Sequence, residues 1–428
     1  MIHFEPENSL FHEKVNIIVS ELSRCQRVSV GVRLQRHRKV FVSHAYFEAD
    51  DTGQVKVNEQ QSHGGTFTGV MDMGLFSCLA PAPGQRPGLR FVPIDVDKSA
   101  IYEIAVRNGF CDVWTDDVEN CRLIDCRTLQ RPFFDPNTIE RIVVNHAGIR
   151  GVLYVPKGLK PTETVPGILD LYGAAEIVIE HRAAILAAHG YVVLCLPYYS
   201  YKDLPRLMTE IDFTYFEVAI EWLSQLPFVG RIAAVGTSFG ATSSLYLSSI
   251  SDKLSAVVSF NGECIFEPMF PIKRQNEVLP DLSGRLKGCG LFEYLGLKSA
   301  VKFLDPLVHP LEKGTAQILL VISYQDGGLD SQNVCRVLTE RMAFFNQSHR
   351  VEHLLLPEAG HLVEPPYMPA CTEVAHRMLG GLVDWGGELI PHARSQVFAW
   401  PRVMKFLERN IGPPKKLNTL GEPDISKL

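Results

Sequence analysis

The chain has 428 residues, 46% of them hydrophobic and 21% charged, with a formal net charge of −6. That balance describes a globular chain able to bury a large core, and the length exceeds what one ordinary domain needs. It excludes a nucleic-acid-binding protein, which would carry a basic face, and no apolar stretch approaches the ~20 residues of a membrane span.

In chain order, the start "MIHFEPENSL" lacks the charged-then-apolar layout of a secretory leader. The runs "KVNIIVS", "RVSVGVRL", "KVFVSHAYFEA" and "QVKV" are short, β-branched and partly alternating, with turn formers such as "DDTGQ" between them, and "IYEIAV" adds another. Short strands with turns between them predict a β-sandwich domain over residues 1–135. The ten cysteines are Cys25, Cys78, Cys111, Cys121, Cys126, Cys195, Cys264, Cys289, Cys335 and Cys371. None forms a C-x-x-C pair and several sit in apolar runs, which predicts reduced thiols in a reducing compartment.

The character changes at "PFFDPNTIE". After "RIVVN" and "VLYVP", strands alternate with helices: "GILDLYG", "HRAAILAAHG", "YVVLCLP", "FEVAIEWL", "IAAVG", "ATSSLYLSS", "AVVSF", then "ILLVIS" and "HLLLP". This predicts a domain over residues 136–412 built on a mostly parallel sheet with helices on both faces. A Pro-, Gly- and Phe-rich insertion over about 263–315 interrupts the alternation at the position of a pocket or lid. Within it, Lys273 and Arg274 read as a solvated pair rather than a phosphate site. His349 and His353 straddle a loop and a strand, and neither H-E-x-x-H nor a glycine-rich cofactor loop occurs, so no metal and no cofactor is expected. Residues 413–428 form a polar tail ending in Ser426, Lys427 and Leu428, a peroxisomal address read by an import receptor.

"GTSFGA" holds Gly236, Ser238 and Gly240 in a G-x-S-x-G frame between a strand and a helix, the setting of a nucleophile elbow. A serine hydroxyl needs a base to become a useful nucleophile, and the order in such a sheet is serine, acid, histidine. Asp326 lies three residues past "ILLVIS", Asp330 competes four residues on, and His361 follows "HLLLP" in a loop. Glu358 is the remaining acid near His361. Oxyanion donors are expected from the backbone N–H of Phe239 and from Gly173 or Ala174 in "DLYGAA".

Beyond these residues, "GGTFTGVMDMGL", "PGILDLYG", "YYSYKDLP", "GTSFGA", "AGHLVEPPYMPAC" and "WGGE" with "HARSQ" make the chain resemble one family along nearly its whole length. That family comprises the type I acyl-CoA thioesterases and bile acid-CoA:amino acid N-acyltransferases. The resemblance implies an α/β-hydrolase domain preceded by the sandwich, a triad of Ser238, Asp326 and His361, and an acyl-CoA substrate. "SYQDGGLD" departs from the family's usual Gly-rich, acid-rich start of the acid loop. The bile-acid-conjugating members carry Cys where this chain has Ser238. A thioester intermediate passes its acyl group to an amine more readily than a serine ester does, so Ser238 favours hydrolysis over conjugation to glycine or taurine.

Overall fold

The computed structural model describes residues 1–114, 121–174, 177–266, 271–285, 298–376 and 380–418. Ser426, Lys427, Leu428 and residues 267–270 and 286–297 of the 263–315 insertion lie outside the described residues. The chain divides into two compact units, one of Met1–Asp135 with Glu364–Val397, the other of Pro136–Val363 with Phe398–Leu417.

The first unit carries two antiparallel sheets. One orders Ile2–Glu5, Asn16–Val19 and Val55–Lys56; the other orders Ala80–Pro81, Lys39–Glu48, Arg27–Arg36, Ala100–Asn108 and Leu123–Arg131. Alternation builds them: along Lys39–Glu48, Phe41, Ser43, Ala45 and Phe47 are buried and their neighbours are not. Leu123–Arg131 escapes a sequence reading because, as an edge strand, it buries only Leu129 and Arg131. Arg131 lies wholly inside, its guanidinium over the rings of Phe11, Phe76 and Tyr367, and it donates to the Leu10 carbonyl at 2.9 Å. Residues Glu364–Val397, read from the sequence as part of the second domain, contribute a ribbon of Glu373–His376 and Gly381–Asp384. There Ala375 N–H donates to the Gly88 carbonyl at 3.1 Å. Cys111 and Cys121 are joined in a disulfide, which corrects the expectation that every thiol is reduced. Nothing in their spacing, ten residues apart in a mixed run, announced the pair.

The second unit is built on eight strands: β1 (Ile139–His146), β2 (Ile149–Pro156), β3 (Val165–Leu171), β4 (Val192–Cys195), β5 (Val229–Thr237), β6 (Leu254–Phe260), β7 (Gln317–Ser323) and β8 (Val351–Leu356). Their order is β1-β2-β4-β3-β5-β6-β7-β8. β2 runs antiparallel to β1 and β4, and all later pairings are parallel. β3 and β4 are buried at every position, which explains why both read as mostly apolar runs, Asp170 of β3 being the exception. The helices used below are α1 (His181–Ala188), α2 (Thr214–Gln225), α3 (Phe239–Ile250), α4 (Ser331–Phe344) and α5 (Leu389–Ile411). α2 buries Phe216, Ala219, Ile220 and Leu223, the i, i+3, i+4, i+7 stripe read from the sequence. The strand order reverses between β3 and β5. In open sheets of this kind, ligands bind beyond the carboxyl ends of the strands at such a switch. Leu171 is in register with Gly236, so the turns after β3 and β5 emerge side by side.

Candidate active site

Ser238 occupies the turn between β5 and α3 with φ 55° and ψ −123°, a backbone state that costs a non-glycine residue about 1–3 kcal/mol. The surroundings impose it. Ser238 N–H donates to the Phe260 carbonyl and its own carbonyl accepts from Thr242 N–H, both at 2.9 Å. A Cβ on Gly236 would collide with the Gly240 carbonyl, and one on Gly240 with the Leu171 carbonyl. The two glycines of the frame are therefore close-approach positions, and Ser238 stands half-exposed between them.

His361 follows β8 and Asp326 follows β7. His361 Nδ1 lies 2.9 Å from Asp326 Oδ2, and the two side chains are 1% and 2% exposed. A carboxylate only accepts, so Nδ1 carries the proton and Nε2 presents a lone pair. Asp326 is held in turn: Oδ1 accepts from the N–H groups of Gly328 and Leu329 at 2.8 and 2.9 Å, and Oδ2 from Ser331 Oγ at 2.6 Å. Asp330 is exposed and caps α4, accepting from Asn333 N–H at 3.1 Å. Glu358 is exposed. Of the three acids weighed from the sequence, Asp326 is the one the fold brings to His361.

Gly173 sits against Ser238: a Cβ built on it would stand 3.2 Å from Ser238 Cβ. Ala174 follows, half-exposed, and Phe239 opens α3, placing its N–H at that helix's start. In the insertion, Arg274 is taken by Glu217 at 2.6 Å, in line with a surface role.

Three residues escaped the sequence reading. Asn261, fully buried, links the two halves of the site. Its Nδ2 donates to the His361 carbonyl at 2.8 Å and to Ser323 Oγ at 2.9 Å, and its Oδ1 accepts from Ser323 N–H at 2.9 Å. The preceding Phe260 holds Ser238, so two consecutive residues at the end of β6 reach Ser238 on one side and His361 on the other. Arg182 of α1 lies buried beneath the turn. It donates to Asp170 Oδ1 at 2.6 Å, to Thr237 Oγ1, and to the carbonyls of Leu171 and Val235 at 3.2 and 3.3 Å. Tyr198, after β4, shares its one hydroxyl proton between the carbonyls of Tyr172 and Gly173.

This strand order, with a glycine-flanked serine in the turn after β5, defines an α/β-hydrolase. Residues 12–146 match the description "Acyl-CoA thioester hydrolase/BAAT N-terminal region", and residues 211–413 match "BAAT / Acyl-CoA thioester hydrolase C terminal". The bile acid-CoA:amino acid N-acyltransferase of Mus musculus is 31% identical over 95% of this chain and 97% of its own. Acyl-coenzyme A thioesterase 1 of Homo sapiens is 30% identical over 94% of each. The peroxisomal succinyl-coenzyme A thioesterase of Mus musculus is 29% identical over 94% of this chain and 95% of its own. The chain belongs to the acyl-CoA thioester hydrolase/BAAT family, whose named members include both thioesterases and amino acid N-acyltransferases.

Proposed function

We propose that this protein hydrolyses acyl-CoA thioesters to free acid and coenzyme A through an acyl-serine on Ser238. The observation that carries the reading is the buried Asp326–His361 pair, 2.9 Å apart, following the strands beyond the one that ends at Ser238. As Ser238 Oγ attacks the thioester carbonyl, its proton passes to His361 Nε2 and the carbonyl electrons move to oxygen. The N–H groups of Phe239 and of Gly173 or Ala174 bind that oxyanion, and Asp326 stabilises the imidazolium. The C–S bond then breaks, and the leaving thiolate of coenzyme A takes the proton from His361. Water, deprotonated by His361, attacks the acyl-serine, and Ser238 regains its proton as the acid leaves. No step needs a cofactor.

Relatives named as N-acyltransferases support a second reading, in which glycine or taurine replaces water in the last step. Turnover of an acyl-CoA panel with and without each amine, with products identified by mass, separates the two. Good turnover of simple esters with none of any acyl-CoA would overturn both. Residence in the peroxisome is supported by Ser426, Lys427 and Leu428 and by the name of the mouse thioesterase relative. A fluorescent protein fused ahead of the full chain should enter peroxisomes and should lose that location when the three residues are deleted.

A further inference from the structure

Tyr198 stands in the stretch "YYSYKDLP", to which the chemistry above assigns no role. The residue is buried, and its one hydroxyl proton is shared between two consecutive carbonyls, those of Tyr172 and Gly173. A peptide group is planar and trans, so its C=O and N–H point in opposite directions. The carbonyl of Tyr172 shares its plane with the N–H of Gly173, and the carbonyl of Gly173 shares its plane with the N–H of Ala174. Anchoring both oxygens on one hydroxyl therefore turns both N–H groups away from Tyr198, toward one side. Successive N–H groups aimed together make a concavity that favours an anion.

The loop so held is the one against Ser238: a Cβ on Gly173 would stand 3.2 Å from Ser238 Cβ and 3.9 Å from its Oγ. The ring of Tyr198 also packs on Phe239, with centroids 5.6 Å apart, and Phe239 N–H is the donor expected from the other side of the serine. On its remaining faces the ring meets Phe216 at 5.3 Å and Tyr199 at 5.9 Å, which leaves it little freedom to turn. Burial holds the phenol well above its usual pKa, so the hydroxyl keeps its proton. Arg182 holds the preceding carbonyl, Leu171, at 3.2 Å, and three successive carbonyls of the loop are thereby tied.

We propose that Tyr198 is the positioning residue of the oxyanion site: its hydroxyl aims the N–H groups of Gly173 and Ala174, and its ring sets Phe239. This rests on the acyl-serine reading of Ser238. The residue touches no reacting atom. It acts by keeping the donors in place before the charge develops, so that no reorganisation is needed during the reaction.

The test is Tyr198→Phe in the full chain, which removes the hydroxyl and leaves the ring. Turnover is normalised to active serine by burst titration, so that misfolded molecules do not count. Losing one whole oxyanion donor costs about 10²–10³ in turnover, and misaiming donors that remain present should cost about 10- to 100-fold. KM should stay within about threefold, because the ground-state carbonyl draws little on these donors. A trifluoromethyl ketone analogue of the best acyl-CoA, which forms a tetrahedral oxyanion on serine, should lose affinity in parallel with kcat/KM. A thioether analogue lacking the carbonyl should bind unchanged. Placing 4-aminophenylalanine at position 198 returns an N–H donor and should recover much of the loss, including where Tyr198→Phe folds poorly.

Unchanged turnover per active serine in Tyr198→Phe, or equal affinity losses for the two analogues, overturns the proposal while an inert Ser238→Ala leaves the acyl-serine reading standing. Full activity in Ser238→Ala overturns that reading, and the role of Tyr198 with it. If esters turn over and thioesters do not, the same comparison on the ester and its trifluoromethyl ketone still decides the role of Tyr198.

Discussion

Replacing Asp326 by Asn probes the Asp326–His361 pair most directly, and the structure sets the size of the effect. Asn has one acceptor oxygen and one NH2 group where Asp326 has two acceptor oxygens. With the amide oxygen at Oδ1, the bonds from Gly328 and Leu329 N–H survive, and the NH2 faces His361 Nδ1 and Ser331 Oγ. With the amide turned round, the NH2 meets two backbone donors and both of those bonds are lost, at about 1–3 kcal/mol for each unsatisfied group. The first orientation therefore dominates. It asks His361 Nδ1 to accept, which puts the ring proton on Nε2, where it cannot take a proton from Ser238. Turnover should fall by about 10⁴, or about 5.5 kcal/mol of barrier, because the tautomer is wrong and the imidazolium loses its counter-charge. Asp330→Asn should be silent, since Asn caps a helix as well as Asp does and the side chain only accepts from Asn333 N–H. The assay is release of the coenzyme A thiol, followed with a chromogenic disulfide. The reasoning fails if Asp330→Asn abolishes turnover and Asp326→Asn spares it. If both remain active, Glu358 becomes the acid to test.

Further outcomes can be checked alongside. Asn261→Ala removes the one side-chain bond to the His361 carbonyl and the two to Ser323, and should lower kcat up to ~10²-fold, as small misplacements of catalytic groups do; unchanged kcat would rule out that role. Ser238→Cys should raise the share of amide product severalfold when glycine or taurine is present, read by mass. His189 is half-buried, accepts from Trp400 Nε1 at 3.1 Å, and has its pKa pushed down to about 4 by desolvation. The unfolded chain, with a histidine near ~6.5, binds the extra proton, so stability is whole above that pH and is lost as pH falls toward 4. The loss should reach roughly 2 kcal/mol at pH 5, and melting of His189→Gln should depend less steeply on pH than that of the parent; equal slopes would refute the assignment.

The sequence reading succeeded where neighbours along the chain carry the information. Buried parallel strands such as β4 and β7 read as apolar runs, and Asp326 and His361, picked by their distance from strand ends, lie within hydrogen-bond reach of each other. It failed where bonding runs through space. Asn261 is one asparagine after a strand, and nothing local says that its amide spans from Ser323 to His361. Arg182 sits in "HRAAILAA", where a charged residue beside an apolar stretch reads as the wet side of a helix; here it is buried against Asp170 and Thr237. Tyr198 was quoted for its look, not for its hydroxyl, because the carbonyls it holds lie 25 and 26 residues earlier. Asp330 competed with Asp326 until the helix it caps was known to begin at Ser331.

The assignment of Glu364–Val397 to the first unit bears on how genes of this family can recombine. The polypeptide passes from the first unit to the second after Asp135, back after Val363 and forward again after Val397, part-way along α5. No single crossover exchanges one unit intact between two homologues. A chimaera joined only at Asp135 would pair the amino-terminal sheets of one parent with the Glu373–His376 and Gly381–Asp384 ribbon of the other. A faithful swap transplants both segments, with the second entering just three residues beyond His361. Inheritance of the sandwich and the hydrolase as separate modules is thus restricted by threading, whatever the compatibility of their surfaces.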